Sequence, residues 1–148
     1  MNFDGTRLVE ASPETTWNAI AEPATFLGFI PVVHEISTQS SGEILARCVF
    51  PLGLGNLQLN ARVKCVEHTP CESARFAGTA LGDGIHVSFD NSILLIATPD
   101  PNSTTLRWTA SVVLRGPVVG MAQHVAPLLV SQQIDTAFAA FVSHLGSV

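Results

Sequence analysis

The C-terminal segment, Pro117 to Leu145, constrains the fold more than any other part of this 148-residue chain. It carries one formal charge, Asp135, and its apolar residues recur at intervals of three and four, which is the spacing of a helix. We therefore predict one long helix from Pro117 to Leu145, bent at Pro127, where a proline removes a backbone hydrogen bond. Such a helix has more apolar surface than a solvent-exposed helix needs, so another layer has to cover it.

The residues before this segment show a period of two. Leu57 to Cys65 is the clearest case, because apolar residues alternate with Gln58, Asn60, Arg62 and Lys64. This pattern is typical of an antiparallel strand with one buried face. Similar alternation and intervening turn signals predict six strands after Val32.

A further strand and two short helices are predicted nearer the N-terminus. Asn2 to Glu10 is the expected first strand, and Ser12 is placed to cap a helix that buries Trp17, Ile20 and Ala21. A second helix is expected from Ala24 to Phe29. The whole chain, residues 1–148, is then a single α+β domain in which an antiparallel sheet curls against the C-terminal helix.

Composition narrows the classes of partner. Only 13% of residues are charged, the net charge is −5, and the seven Lys and Arg residues are not clustered. This argues against nucleic acid and against an anionic membrane surface. The longest uncharged run contains too many polar residues for a transmembrane span, and no signal peptide pattern opens the chain, so the expected location is the cytoplasm.

Reactive side chains do not form a convincing catalytic or metal site. The spacing Cys65-x-x-His68-x-x-Cys71 lacks the fourth ligand of a structural zinc site, and we interpret it as a hairpin in which the two cysteines face each other. His124, Ser131 and Asp135 share one helix face but would span about 16 Å, too far for a catalytic triad. We predict no catalytic residue, no metal and no cofactor.

The predicted inward face of the sheet supplies a candidate ligand site, with the C-terminal helix as its other wall. Asn91 is its polar member, and two alternatives stay open for it: an amide that orients a ligand, or a bulge that turns it outward. A solid core is the alternative to a pocket. The predicted lining residues are Phe50, Leu59, Phe76, Phe89, Asn91, Trp108, Met121, Val125, Leu129 and Phe138.

Several short motifs follow one another in an order that resembles a known superfamily. Phe3-Asp4-Gly5 opens the chain, Ser12-Pro13-Glu14-x-x-Trp17-x-x-Ile20-x-x-Pro23 forms the first helix, and Ile30-Pro31 closes the second. With the strand Thr105 to Ala110 and the long helix, they resemble the helix-grip (SRPBCC) superfamily, which includes START domains, the major birch pollen allergen and polyketide cyclases. Within it the chain is most similar to the family of the carbon monoxide dehydrogenase G subunit.

This resemblance implies a curved seven-stranded antiparallel sheet wrapped around the C-terminal helix, with a deep pocket between them. The leading hypothesis is a non-enzymatic protein that binds or transports a hydrophobic small molecule, such as a lipid, a quinone or an aromatic metabolite. Two alternatives remain: an assembly or recruitment factor for a molybdenum hydroxylase, and an enzyme of the cyclase or dehydratase type with Asn91 or a histidine as polarising group. A homodimer is also left open.

Overall fold

The computed structural model describes residues 1–51, 55–82, 84–117, 120, 124 and 126–146. Its element order is the predicted one: a strand, two short helices, six strands and a C-terminal helix. The elements are β1 (Asn2–Val9), α1 (Pro13–Ile20), α2 (Pro23–Leu27), β2 (Val33–Thr38), β3 (Ile44–Pro51), β4 (Asn56–Thr69), β5 (Ser73–Gly82), β6 (Ile85–Ala97), β7 (Thr104–Arg115) and α3 (Ala126–Gly146).

The seven strands form one antiparallel sheet in the order β1-β7-β6-β5-β4-β3-β2. Strands β2 to β7 therefore follow one another as neighbours in the sheet, and the last strand, β7, also pairs with β1. Among the described pairings, the register shifts between His34 and Ser37 and between Cys65 and Glu67. Elsewhere in the paired strands the alternation is unbroken, so one side of each strand faces the helices and the other faces solvent.

The first helix begins as predicted and ends earlier than predicted. Ser12 is its N-cap, and the Ser12 hydroxyl accepts a hydrogen bond from the Thr15 backbone N–H at 3.1 Å. Ile20 is buried and Trp17 is partly buried, but the expected burial of Ala21 is wrong because Ala21 is the exposed C-cap. The second helix is also shifted, since it covers Pro23–Leu27 rather than Ala24 to Phe29.

The C-terminal helix is shorter than predicted. It begins at Ala126, and His124 lies in a turn, so the prediction of one continuous helix from Pro117 is wrong. Pro127 is the second residue of α3, where its missing N–H needs no helical partner. The expected bend inside the helix at Pro127 is therefore wrong as well.

Two groups of buried residues lie between the sheet and the helices. The larger group contains the big side chains of α3, Phe138, Phe141 and Leu145, together with Leu106 and Trp108. Trp108 stacks on Phe138 with ring centroids 5.1 Å apart. The smaller group consists of Ala46, Leu59, Ala61, Ala80 and Ile85, which belong to β3, β4, β5 and β6.

Candidate ligand-binding site

A cavity of about 330 Å³ lies between the sheet and α3. Side chains from α1 and α2 also contribute to its wall, among them Ile20 and Phe26. Its volume falls at the lower end of the range of small-molecule sites, roughly 300–1,000 Å³. Sheet and helix thus leave space between them that is large enough for a small organic molecule.

The structure brings the predicted site residues together at this cavity. Two of the ten, Met121 and Val125, lie outside the described residues. The other eight all line the cavity: Phe50, Leu59, Phe76, Phe89, Asn91, Trp108, Leu129 and Phe138. Alternation along the strands predicted the common face of the six strand residues, helical spacing selected Leu129 and Phe138, and the role of all eight in binding a ligand stays a prediction.

A row of alanines forms part of the cavity floor. Ala46 pairs with Ala61, and Ala61 pairs with Ala80, so the three methyl groups lie side by side across β3, β4 and β5. All three are buried and line the cavity. Because Ala is the smallest side chain with a Cβ, this row leaves space that leucines would fill. Sequence reasoning did not select these residues, since the pairing of three separate strands brings them together.

The ring of Phe89 is positioned by a glycine on the neighbouring strand. Phe89 pairs with Gly78, and a methyl group on Gly78 would lie 2.6 Å from Phe89 Cζ. The absence of a side chain at Gly78 therefore lets the aromatic ring approach β5 closely.

Asn91 faces the cavity, and the alternative of a bulge at this position is wrong. It pairs with Phe76 on one side and Ala110 on the other, in a register that continues without interruption along β6. Asp90, the preceding residue, projects to the opposite face, where Arg75 Nη2 donates to Asp90 Oδ2 at 2.6 Å. The half-buried Asn91 amide makes no hydrogen bond to another described residue.

Gln133 is a second amide in the lining, and sequence reasoning missed it. Its Oε1 accepts a hydrogen bond from the Val32 backbone N–H at 3.1 Å, which ties α3 to the segment before β2. The signal was available, because Gln133 lies one turn after Leu129 on the same helix face. The Gln133 amide oxygen thus holds two parts of the fold together, whereas the Asn91 amide has no such partner among the described residues.

The described part of the lining contains no acidic or basic side chain. Met1 is one of the lining residues, and its ammonium group donates to the Val112 carbonyl oxygen at 2.6 Å. Cys48 is the one thiol of the described lining, and burial raises the pKa of that thiol above its ordinary value. Cys48 is therefore a neutral, weakly nucleophilic thiol at neutral pH.

The cysteine and histidine motif lies away from the cavity. The predicted hairpin is present, but Cys65 pairs with Phe76 while Cys71 lies in the turn with φ +62°. The expectation that Cys65 and Cys71 face each other is therefore wrong, because the bulge at Cys65/Glu67 and the turn displace them. Both are exposed free thiols.

Other candidate constellations gain no support from the geometry. His124 and Asp135 are exposed, and Asp135 pairs with Arg7 at 3.1 Å. Within the described ranges, no three His, Cys, Asp or Glu side chains cluster as metal ligands would. No described helix is both long and apolar enough to cross a membrane.

An open antiparallel sheet, two short helices after the first strand, and a C-terminal helix over an internal cavity define the helix-grip, START-like class of proteins. The chain belongs to the family of the carbon monoxide dehydrogenase G subunit (CoxG), whose family model matches residues 5–146. No curated protein sequence matches it significantly.

Solved structures agree on the fold. A conserved protein from Geobacillus kaustophilus superposes with a TM-score of 0.85 at 15% identity, over 99% of this chain and 96% of that one. The ZhuI aromatase/cyclase from Streptomyces sp. R1128 has a TM-score of 0.71 at 14% identity, over 99% and 93% of the two chains. A START superfamily protein from Mycobacterium smegmatis has a TM-score of 0.61 at 16% identity, over 97% and 98%. At these identities the likeness concerns the fold alone.

Proposed function

We propose that this protein binds and carries a hydrophobic small molecule, such as a lipid, a quinone or an aromatic metabolite, in the cavity between the sheet and α3. The observation that carries the proposal is the apolar cavity of about 330 Å³, whose described lining has no charged side chain. Burial of apolar surface is the main source of affinity available there. The proposed ligand contacts are the eight lining residues named above, joined by Met121 and Val125.

The chemistry of the lining favours a carrier over an enzyme. The aromatase/cyclase among the structural neighbours makes an enzyme of cyclase type the natural alternative. General acid–base catalysis needs a titratable group within reach of the substrate. Cys48 is the titratable side chain in the described lining, and its raised pKa keeps it protonated. The carrier is proposed to act in the cytoplasm.

Native mass spectrometry tests the proposal directly. Protein purified without detergent should show an additional mass that denaturation releases and solvent extraction recovers. Protein stripped of that molecule should then bind N-phenyl-1-naphthylamine with an increase in fluorescence. A protein that is always empty and also fails to bind this probe would contradict the carrier function.

Family membership favours a second candidate, in which the carrier serves a partner enzyme. The family description names a carbon monoxide dehydrogenase, which points to a molybdenum hydroxylase as the partner that this chain helps to assemble, or to which it is recruited. Affinity capture of the tagged protein from its own cells should recover such an enzyme. Size-exclusion chromatography of the purified protein would measure at the same time whether it forms the homodimer.

A further inference from the structure

Asn91 is the one amide among the predicted lining residues, and its neighbours on the inner face are apolar. On the inner face it lies between Phe76 and Ala110 across the sheet, and between Phe89 and Ile93 along its own strand. Its amide has two N–H donors and a carbonyl acceptor, and none of them bonds to a described residue. Asn91 is therefore half-buried in an apolar wall with no hydrogen-bond partner in the described part of the chain.

The Asn91 amide gains no hydrogen bond from its apolar neighbours on the inner face. A half-buried amide loses part of its hydration without a partner in return, so an apolar residue of similar size would suit this wall better. Two observations exclude simple structural explanations. The strand is not bulged at Asn91, and the fold uses a different amide, Gln133, to connect α3 to the rest of the chain.

We propose that Asn91 is the specificity-determining residue of the cavity, and that it selects an uncharged cargo with a carbonyl-type oxygen at one end of an apolar body. This inference rests on the carrier function proposed above. The Asn91 NH₂ group donates to the cargo oxygen, which satisfies the amide when the cargo binds. An anionic cargo fits poorly, because the described lining has no cationic side chain to compensate a carboxylate and the Met1 ammonium already donates to the Val112 carbonyl oxygen.

The register of the sheet sets the length of the apolar body. The alanine row Ala46, Ala61 and Ala80 continues to Val87 on β6, four residues before Asn91. At 3.4 Å per residue the alanine row lies roughly 14 Å along the strand from the amide. The expected cargo thus has its acceptor oxygen at Asn91 and its apolar part over the alanines.

Matched probes test this assignment. We expect 2-acetylnaphthalene to bind more tightly than 2-ethylnaphthalene, which has nearly the same shape but no acceptor, by about five- to tenfold. The anion 2-naphthoate should bind more weakly than either probe. In the unaltered protein, the side-chain NH₂ resonances of Asn91 should shift with the ketone and stay in place with the hydrocarbon.

Two variants distinguish the contribution of the Asn91 amide from binding by the apolar cavity itself. Asn91→Leu should abolish the preference for the ketone, keep or improve binding of 2-ethylnaphthalene, and raise the midpoint of urea unfolding. Asn60→Leu is the matched control, because it makes the same change at an exposed position on the outer face of β4 and should keep the preference.

The outcomes distinguish the two proposals. If both naphthalenes bind equally and the Asn91 resonances respond to neither, the role of Asn91 is wrong while the carrier function stands. Tightest binding of 2-naphthoate would overturn the uncharged cargo. If none of the three probes binds, this inference fails, and the carrier function fails with it when native mass spectrometry also finds the protein empty.

Discussion

Ala61→Leu tests whether the space above the alanine row is real. Ala61 is 7% exposed and has Ala46 and Ala80 as its cross-strand neighbours. A leucine at this position projects three additional carbon atoms into the cavity. If the cavity is present, these atoms enter empty space and leave water on folding, and the protein becomes more stable.

The magnitude follows from the size of the side chain. At about 0.8 kcal/mol per buried carbon, three carbons contribute about 2.4 kcal/mol. Fixing the leucine rotamer opposes this by about 0.5–1 kcal/mol. We therefore expect the free energy of unfolding to rise by roughly 1.5–2 kcal/mol. The same leucine occupies space that a ligand needs, so the affinity for 2-ethylnaphthalene should fall by about tenfold or more.

Urea unfolding and probe titration on the same samples provide both measurements. Ala77→Leu is the control, because Ala77 lies on the outer face of β5 between Lys64 and Asp90. It should change stability by less than about 0.5 kcal/mol and leave probe binding unchanged. In a solid core the result reverses sign, since overpacking costs about 1–3 kcal/mol. A destabilised Ala61→Leu protein that still binds the probe normally would refute the reasoning.

Three further predictions concern packing and protonation. Gly5→Ala should lower stability by roughly 1–3 kcal/mol in thermal unfolding, because the added methyl would lie 2.7 Å from Trp108 Cζ2. Burial holds the pKa of the Cys48 thiol above its ordinary 9.0, so the unfolded state loses this proton at lower pH than the folded state does. The free energy of unfolding should therefore fall as pH rises above 9.0, and Cys48→Ala should remove this dependence. The hydrogen bond from Arg75 holds the Asp90 pKa below its ordinary 3.8, so the stability it contributes should be lost as pH falls below 3.8; in NMR titration, Arg75→Gln should return the Asp90 pKa toward that value.

Alternation along the strands was sufficient to predict which residues share the inner face. Leu57 to Cys65 has polar residues at every second position. A shift by one residue would bury all of these polar residues, so the apolar residues of this strand have to point toward the core. The same argument predicts that Asn91 points to the inner face with Phe89, although its side chain is polar. The fold class followed from the order of these segments, because a wide antiparallel sheet needs a cover and α3 is the long helix that follows it.

The start of α3 and the existence of the cavity could not be predicted in this way. Apolar spacing continues through His124, and periodicity alone does not distinguish one helix from a turn followed by a helix. Whether the space under the helix is filled depends on side-chain sizes in adjacent strands. The three alanines are separated in sequence by fifteen and nineteen positions, as their numbers 46, 61 and 80 show. Only the strand register places them side by side.

The two buried groups differ in the size of their side chains and in what they contribute to the fold. The larger one packs Phe138 and Phe141 of α3 against Phe26 and Trp108, with aromatic centroids 5.1–5.5 Å apart, so this end of the helix is held by large interlocking rings. The smaller group has the alanine row as its centre and lacks buried aromatic side chains among its described members. The rings of Phe138 and Phe141, together with the hydrogen bond from the Val32 N–H to Gln133, hold α3 in place, so the side chains of the alanine row can stay small without releasing the helix. Asn91 lies beside Phe76, Phe89 and Ile93 of the larger group, so the amide stands at the firmly packed end of the cavity and the alanine row leaves its space at the other end.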